Sequence, residues 1–330
     1  FKIDYTPVVG ESFNDEMIQM VTKKNIIAMT CDSTNIFRMN EGRSESTLLQ
    51  PITELIASTK GMVIATTFAS NVARLKTIAE AGEANGRSIL VLGRAMNTMI
   101  KSAISVGVLK GFPAIISPKD AKLLSRENIL VLASGSQGEW RAASAQLARD
   151  GYMGIEINEG DLFIFSSKTI PGNEKKVSAI INKLEEKGAT VVDDSSEHYH
   201  VSGHANRPDL ERLHSMVKPE LLIPMHGELR HLNAHARLAA SKQINTIVAT
   251  NGNIVEISAN KSVAIKGKVT SGLLYLDGEV MHEKEEGFVQ DRLNLAQKGH
   301  AVISVMVHRD ENEVADIDVQ LIGVPVSAAS

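Results

Sequence analysis

One cysteine, Cys31, stands among 330 residues. It excludes an internal disulfide and an all-cysteine zinc site, and such thiol poverty fits a reducing cytoplasm. Aromatic residues make up only 4%, too few for a sheet that reads single strands mainly by stacking bases. Positive charge is not in excess: 35 bases face 39 acids, a formal charge of -4. A polyanion must therefore meet a local groove, not a broadly basic surface. No run approaches the ~18 apolar residues of a membrane span, and nothing at Phe1 reads as a signal peptide. Gly-x-Ser-x-Gly is absent, so a serine hydrolase would lack its nucleophile turn. Histidine is missing from the first 197 residues, and all ten lie at or after His198.

What is present supports a large α/β core. Hydrophobic residues are 43% and charged residues 22%, which rules out wholesale disorder, and the length predicts two domains at ~150 residues each. Strand-like Asn25–Thr30 precedes a helical pattern over Ser44–Ser58. The unit repeats as Met62–Ala65 with Ser70–Ala84, Ser88–Leu92 with Ala95–Val106, and Asn128–Leu132 with Glu139–Arg149. Apolar strands alternating with amphipathic helices predict much parallel sheet. Beyond residue 250 short strands and Gly-containing turns take over, around Lys268–Leu276 and Ala301–His308. His282–Glu286 reads as a solvated loop. Phe1, Ile3 and Tyr5 alternate with Lys2 and Asp4 as in a half-buried strand. A strand at the first residue, and an end just past another at Ile322–Ser330, predict a piece of a longer protein.

Histidine placement is the most informative chemical pattern. His198, His200 and His204 are read onto a strand, where alternate positions share a face. His226 ends the apolar run Leu221–Met225, the kind of strand end where α/β sheets gather functional groups. His231 and His235 are spaced i,i+4, which can bind zinc but without a third ligand is the spacing of packing or surface histidines. His214, His282, His300 and His308 carry no signal. Asp32, in Cys-Asp-Ser-Thr-Asn (31–35), is either a turn residue or a carboxylate metal ligand at a strand end. Ser134-Gly-Ser-Gln-Gly-Glu139 and Ser166–Glu174, with Lys168, leave strands for helices and could hold phosphate on backbone N–H groups.

Several motifs together are far more specific. They run Phe-Lys-Ile-Asp-Tyr-Thr-Pro (1–7), Asp-Ser-Thr-Asn (32–35), Phe-Ala-Ser-Asn-Val-Ala-Arg (68–74) and Gly-Ser-Gln-Gly-Glu (135–139). Ser-Ser-Lys-Thr-Ile-Pro-Gly-Asn-Glu (166–174), Val-Ser-Gly-His-Ala (201–205) and Pro-Met-His-Gly-Glu-Leu-Arg-His-Leu (224–232) follow. In this order they closely resemble the ribonuclease J family, in the β-CASP branch of the metallo-β-lactamase superfamily. The match is dense between 1 and 240 and loose after about 260.

The resemblance implies an α/β fold: a partial αββα metallo-β-lactamase domain, an inserted α/β β-CASP domain and the start of a small C-terminal α/β domain. Mapped onto this chain, 1–48 and 202–258 are the metallo-β-lactamase pieces, 49–201 the β-CASP insert, and 259–330 a linker and incomplete C-terminal domain. It further implies RNA hydrolysis, endonucleolytic and 5′-to-3′ exonucleolytic, with two divalent metal ions, usually Zn²⁺. By the same resemblance Asp32 bridges the metals, His226 is a ligand, and His204 contacts the scissile phosphate and assists proton transfer. Ser202, Gly203 and His204, with Ser134, Gly135 and Ser136, become candidates for a 5′-monophosphate pocket. Expected partners are RNA with a 5′-monophosphate and further copies of the chain, in the cytoplasm and away from membranes. The family's His-x-His-x-Asp-His motif lies upstream of the matching strand and does not occur in these residues. Weak zinc binding and negligible cleavage are therefore expected of the 330 residues alone. A metal-free RNA-binding or regulatory homologue is the alternative, but retention of Asp32, His204 and His226 together favours the enzyme.

Overall fold

Val63–Thr66, Ile129–Ala133 and Leu162–Phe165 are buried at every position. Strands without polar alternation belong inside a parallel sheet covered on both faces, and the computed structural model places them there. It describes residues 1–196, 198–258, 262–310 and 313–325, in two units, Phe1–Ala249 and Thr250–Ser330. The first unit opens with α1 (Asp15–Thr22), β1 (Ala28–Asp32), α2 (Leu49–Ala57), β2 (Val63–Thr66), α3 (Val72–Ala84), β3 (Ser88–Leu92) and α4 (Arg94–Ser105). It continues with β4 (Ile115–Ile116), α5 (Pro118–Ala121), β5 (Ile129–Ala133), α6 (Ala143–Arg149), β6 (Leu162–Phe165), α7 (Glu174–Glu186) and β7 (Thr190–Val192). Its last elements are α8 (Arg207–Val217), β8 (Leu221–Met225), α9 (Leu229–Ser241) and β9 (Asn245–Thr246).

The larger sheet has the order β4-β3-β5-β2-β6-β7, with every pairing parallel. Successive strand residues serve opposite faces. Val63, Ala65, Leu130 and Leu132 pack with Ile52 and Ile56 of α2, Leu75 and Ile78 of α3, and Ile100 of α4. Ile64, Val131, Phe163 and Phe165 pack with Leu147 of α6 and Val177, Ile180 and Leu184 of α7. From β2 the chain goes out to β3 and β4, returns to β5, then crosses to β6 on the other side of β2. Thr66 lies level with Ala133 and Phe165. The loops after β2, β5 and β6 therefore gather over one end, where the winding reverses and open sheets place ligands.

A second parallel sheet, β1-β8-β9, pairs Asp32 with Met225. Cys31, Ile36, Leu210, Leu222 and Leu238 form its core. Arg74, on α3 and 1% exposed, links the two sheets. Its guanidinium pairs with both oxygens of Glu45 and donates to the Ser166 carbonyl (2.7 Å), the Ser166 hydroxyl (3.0 Å) and the Val201 carbonyl (3.1 Å).

The second unit holds β10 (Asn253–Ile257), β11 (Val263–Lys268), β12 (Leu274–Asp277), β13 (Val280–Glu283), α10 (Phe288–Lys298), β14 (His300–His308) and β15 (Glu313–Ile322). The pairs β10–β11, β12–β13 and β14–β15 are antiparallel. Among its described residues none is buried. No helix among the described residues is long and apolar enough to cross a membrane.

Several local expectations change. Phe1–Tyr5 forms no strand: the Phe1 carbonyl accepts from Ala205 N–H and the Asp4 carbonyl from Phe13 N–H, isolated bonds instead of a ladder. Residues 198–204 are not a strand either, because Ser202 Oγ accepts from His204 N–H and turns the chain. The helix expected from Glu139 starts at Ala143, since Glu139 spends its carboxylate on Gln137 N–H. His282–Glu286 closes β13 and enters a single 3₁₀ turn in place of a loop, with His282 Nδ1 2.7 Å from Glu286 Oε2. Residues 326–330 of the expected tail, and 259–261 beside the expected domain boundary, lie outside the described residues.

Replacing Arg74 leaves Glu45 and two carbonyls without their partner. Arg74→Met is expected to lower the unfolding free energy by about 3–5 kcal/mol, the usual cost of breaking a buried ion pair from one side, read by urea denaturation.

Candidate active site

Parallel register puts Asp32, the last residue of β1, beside Met225, the last of β8. His226 follows at once and turns the chain with φ +64°, a left-handed conformation that is uncommon outside glycine. His204 arrives from the segment that leaves the larger sheet. Its Nδ1 is 2.6 Å from Asp32 Oδ2, and His226 Nδ1 is 3.5 Å from Asp32 Oδ1. Three segments thus deliver a carboxylate and two imidazoles to one point, with ligand atoms all within 4.8 Å of one another.

The residues after Asp32 build its surroundings. Asp32 Oδ1 accepts from the Thr34 amide (2.9 Å) and hydroxyl (2.7 Å), and that hydroxyl also lies 3.0 Å from the His226 carbonyl oxygen. The amide of buried Asn35 donates to Ser202 Oγ (2.9 Å), the His204 carbonyl (3.1 Å) and Asn206 Oδ1 (3.0 Å). Burial pushes the Asp32 carboxyl upward, but the bonds from His204 and Thr34 outweigh it and hold the group at about 2. It is therefore ionised at neutral pH.

Two cavities share His200, Val201, Ser202 and His204 in their walls. The larger, about 960 Å³, extends over Phe68, Lys168, Ile170 and Arg230. The smaller, about 80 Å³, is lined by Arg38, Arg43, Lys168, Asp194, Ser202 and His204, among others. Ser202 and His204 thus share both walls with Lys168, and Gly203 joins them in the larger one. Ser134, Gly135 and Ser136 do not join them: they line neither cavity, and Gly135 and Ser136 are buried. The physical reason is packing. Ser144 Oγ donates to the Gly135 carbonyl (2.7 Å), and a Cβ on Gly135 would clash with Ser144 and Ala142. The neighbouring Gln137 reaches the cleft indirectly, donating to the Lys168 carbonyl (3.0 Å) and accepting from Ile170 N–H (2.7 Å).

Residues 60–184 match the family described as ribonuclease J, β-CASP domain, and residues 174–249 match the Zn-dependent metallo-hydrolase RNA specificity domain. The chain is 36% identical over 326 residues to ribonuclease J of Sinorhizobium meliloti, covering 98% of this chain and 58% of that protein. It is 31% identical to ribonuclease J of Thermus thermophilus, covering 94% and 54%, and 33% identical to ribonuclease J 1 of Streptococcus pyogenes, covering 91% and 54%. The chain belongs to the ribonuclease J family. It spans about half the length of the curated relatives it matches.

The donor set fits a metal ion. An ionised carboxylate and two imidazoles are N/O ligands of the kind that Zn²⁺ takes. Thr34, Asn35 and Arg74 stood inside the quoted motifs, yet nothing in their types or spacing separated them from ordinary turn and surface residues. Asn206 and His235 gave still less, since their partners lie far away in sequence.

His200, His214 and His235 are all pushed down to about 4 by burial, helped at His200 and His214 by nearby lysine or arginine charge. A histidine held neutral in the fold but free to protonate when unfolded contributes stability above its ordinary value of 6.5, lost as pH falls from there through 4. The unfolding free energy is expected to drop below pH 6.5 by up to ~1.4 kcal/mol per pH unit for each histidine, measured by urea denaturation across that range.

Proposed function

We propose that this chain carries part of the catalytic centre of a metal-dependent ribonuclease, which hydrolyses RNA phosphodiesters internally and from the 5′ end. The supporting observation is the convergence of Asp32, His204 and His226, from three segments, with His204 in the wall of a large cleft. In this reading residues 1–48 and 202–258 are the metallo-β-lactamase pieces, 49–201 the β-CASP insert and 259–330 the linker and C-terminal domain. The whole protein works in the cytoplasm and assembles with further copies of itself.

Asp32 and His226 would hold metal, two divalent ions and most simply zinc in the whole protein. Bound there, such ions lower the pKa of a water and draw charge from the phosphodiester. The remaining steps belong to the chain. Asp32 orients the His204 ring through Nδ1, which leaves Nε2 to meet a phosphate oxygen and pass a proton to the leaving oxygen. The long cleft takes the RNA strand. Lys168, Arg38, Arg43 and Ser202 around the 80 Å³ cavity accept a terminal 5′-monophosphate, with little room for a triphosphate. Of the convergent residues only Asp32 and His226 are assigned to metal here, two donors for ions that take about three or four, so the 330 residues alone hold zinc weakly and turn over little.

In the full-length protein, His204→Ala is expected to lower turnover about 10²–10⁴-fold, the usual range for a lost acid–base group, with metal content by mass spectrometry nearly unchanged. Loss of metal in proportion to activity would make His204 a ligand instead.

The exonucleolytic rate on 5′-monophosphorylated RNA should exceed that on triphosphorylated RNA, and Lys168→Ala should raise KM for the former. Equal rates on the two ends in the parent enzyme would remove the pocket from this reading.

A further inference from the structure

Behind the convergent site lies a second group of polar side chains with no exposure to speak of. Ser33 is 0% exposed, His235 0% and His214 1%. Ser33 Oγ is 2.9 Å from His235 Nδ1, and His235 Nε2 is 3.0 Å from His214 Nε2. The two imidazole planes differ by 8°. Each member belongs to a segment that carries one of the convergent groups. Ser33 follows Asp32, His235 sits on the helix after His226, and His214 sits on the helix after His204. Ser33 is held twice, because its N–H also donates to the carbonyl of Met225, the residue before His226 (2.8 Å).

We propose that Ser33, His235 and His214 form a buried hydrogen-bond chain that keeps the segments bearing Asp32, His226 and His204 in register, with His235 as its positioning residue. The proposal rests on the reading of the site given above and adds to it what holds the three groups together. Both imidazoles are neutral, so a single proton lies between the two Nε2 atoms. Either direction leaves one buried proton without an acceptor among the described residues: that of His214 Nδ1 if Ser33 donates to His235, that of the Ser33 hydroxyl if His235 donates to Ser33. In both, the two rings take complementary tautomers and one Nε2 donates to the other.

Cys31 lies close enough for a competing arrangement, since its sulfur and the two imidazoles present ligand atoms within 4.8 Å of one another. The geometry favours the hydrogen bond. At 3.0 Å the two Nε2 atoms are committed to each other, and burial pushes the Cys31 thiol up to about 12, whereas a metal takes the thiolate.

The test is ¹⁵N-histidine NMR on the 330-residue chain at neutral pH, with Co²⁺ titration as the metal probe. Expected is one proton on each ring, placed so that just one of the two Nε2 atoms carries it. His235→Leu should move the imidazole signals of His204 and His226 and weaken Co²⁺ binding about 10–100-fold, the range seen when an outer partner of a ligand is lost. His235→Asn keeps an amide where Nδ1 stands and should restore much of both, while Leu238→Val, a core change on the same helix, should move neither. A folded His235→Leu protein with unmoved signals and Co²⁺ affinity within twofold of the parent would overturn the proposal. So would Zn²⁺ shifting the His214 and His235 signals in a way that Cys31→Ala abolishes, which would make this a buried metal site. If His235→Leu does not fold, the parent tautomers and His235→Asn decide. Signals that respond to His235→Leu in a chain that binds no Co²⁺ would leave the hydrogen-bond chain standing and count against the metal reading alone.

Discussion

A single buried guanidinium organises this protein. Taking the charge of Arg74 out of water costs several kcal/mol. The cost is offset because every nitrogen of the group finds an acceptor: Glu45, both oxygens of Ser166 and the Val201 carbonyl. These partners are the turn leading out of the smaller sheet, the end of a central strand of the larger one, and the segment returning between them. Ser166 passes the constraint on through its hydroxyl to the Tyr199 carbonyl (2.6 Å). The path of residues 199–204, and with it the position of Ser202 and His204, follows from that network.

The other half of the site is set by four consecutive residues that point four ways. Asp32 faces the two imidazoles, Ser33 faces the core behind them, Thr34 closes on Asp32 and the His226 carbonyl, and Asn35 fastens the Ser202–Asn206 turn. Such divergence is possible only past the end of a strand, where the two-residue alternation stops. The left-handed backbone of His226 stands on the neighbouring strand end, where the Thr34 hydroxyl holds its carbonyl.

Electrostatics are equally local. A chain with net charge -4 offers no general attraction to a polyanion, but two arginines and a lysine share the wall of one small cavity. The loop after β5, which has the glycines and serines of an anion cradle, serves this cavity only by bracing the backbone of Lys168 and Ile170 through Gln137. Its own atoms are spent on packing against α6.

The alternation of apolar strands and amphipathic helices was legible because burial on both faces demands continuous apolar runs, and this periodicity is a local property. The strand end at Asp32 and the histidine at 226 were legible for the same reason. Residues 1–5 and 198–204 have strand-like alternation but no ladder partner, and hydrogen bonds to distant residues decide their path instead. Helix α1 buries no residue, so no core face marked it among the repeating units. Sequence by itself determined the fold class, the order of motifs and the residue types that suit metal and phosphate. Only tertiary structure decided that Asp32 meets His204 across 172 positions, that Ser134–Ser136 are packing residues, and that Ser33, His235 and His214 touch. Parallel strand register and burial act between segments far apart in the chain, and no local pattern of residues records which segments those are.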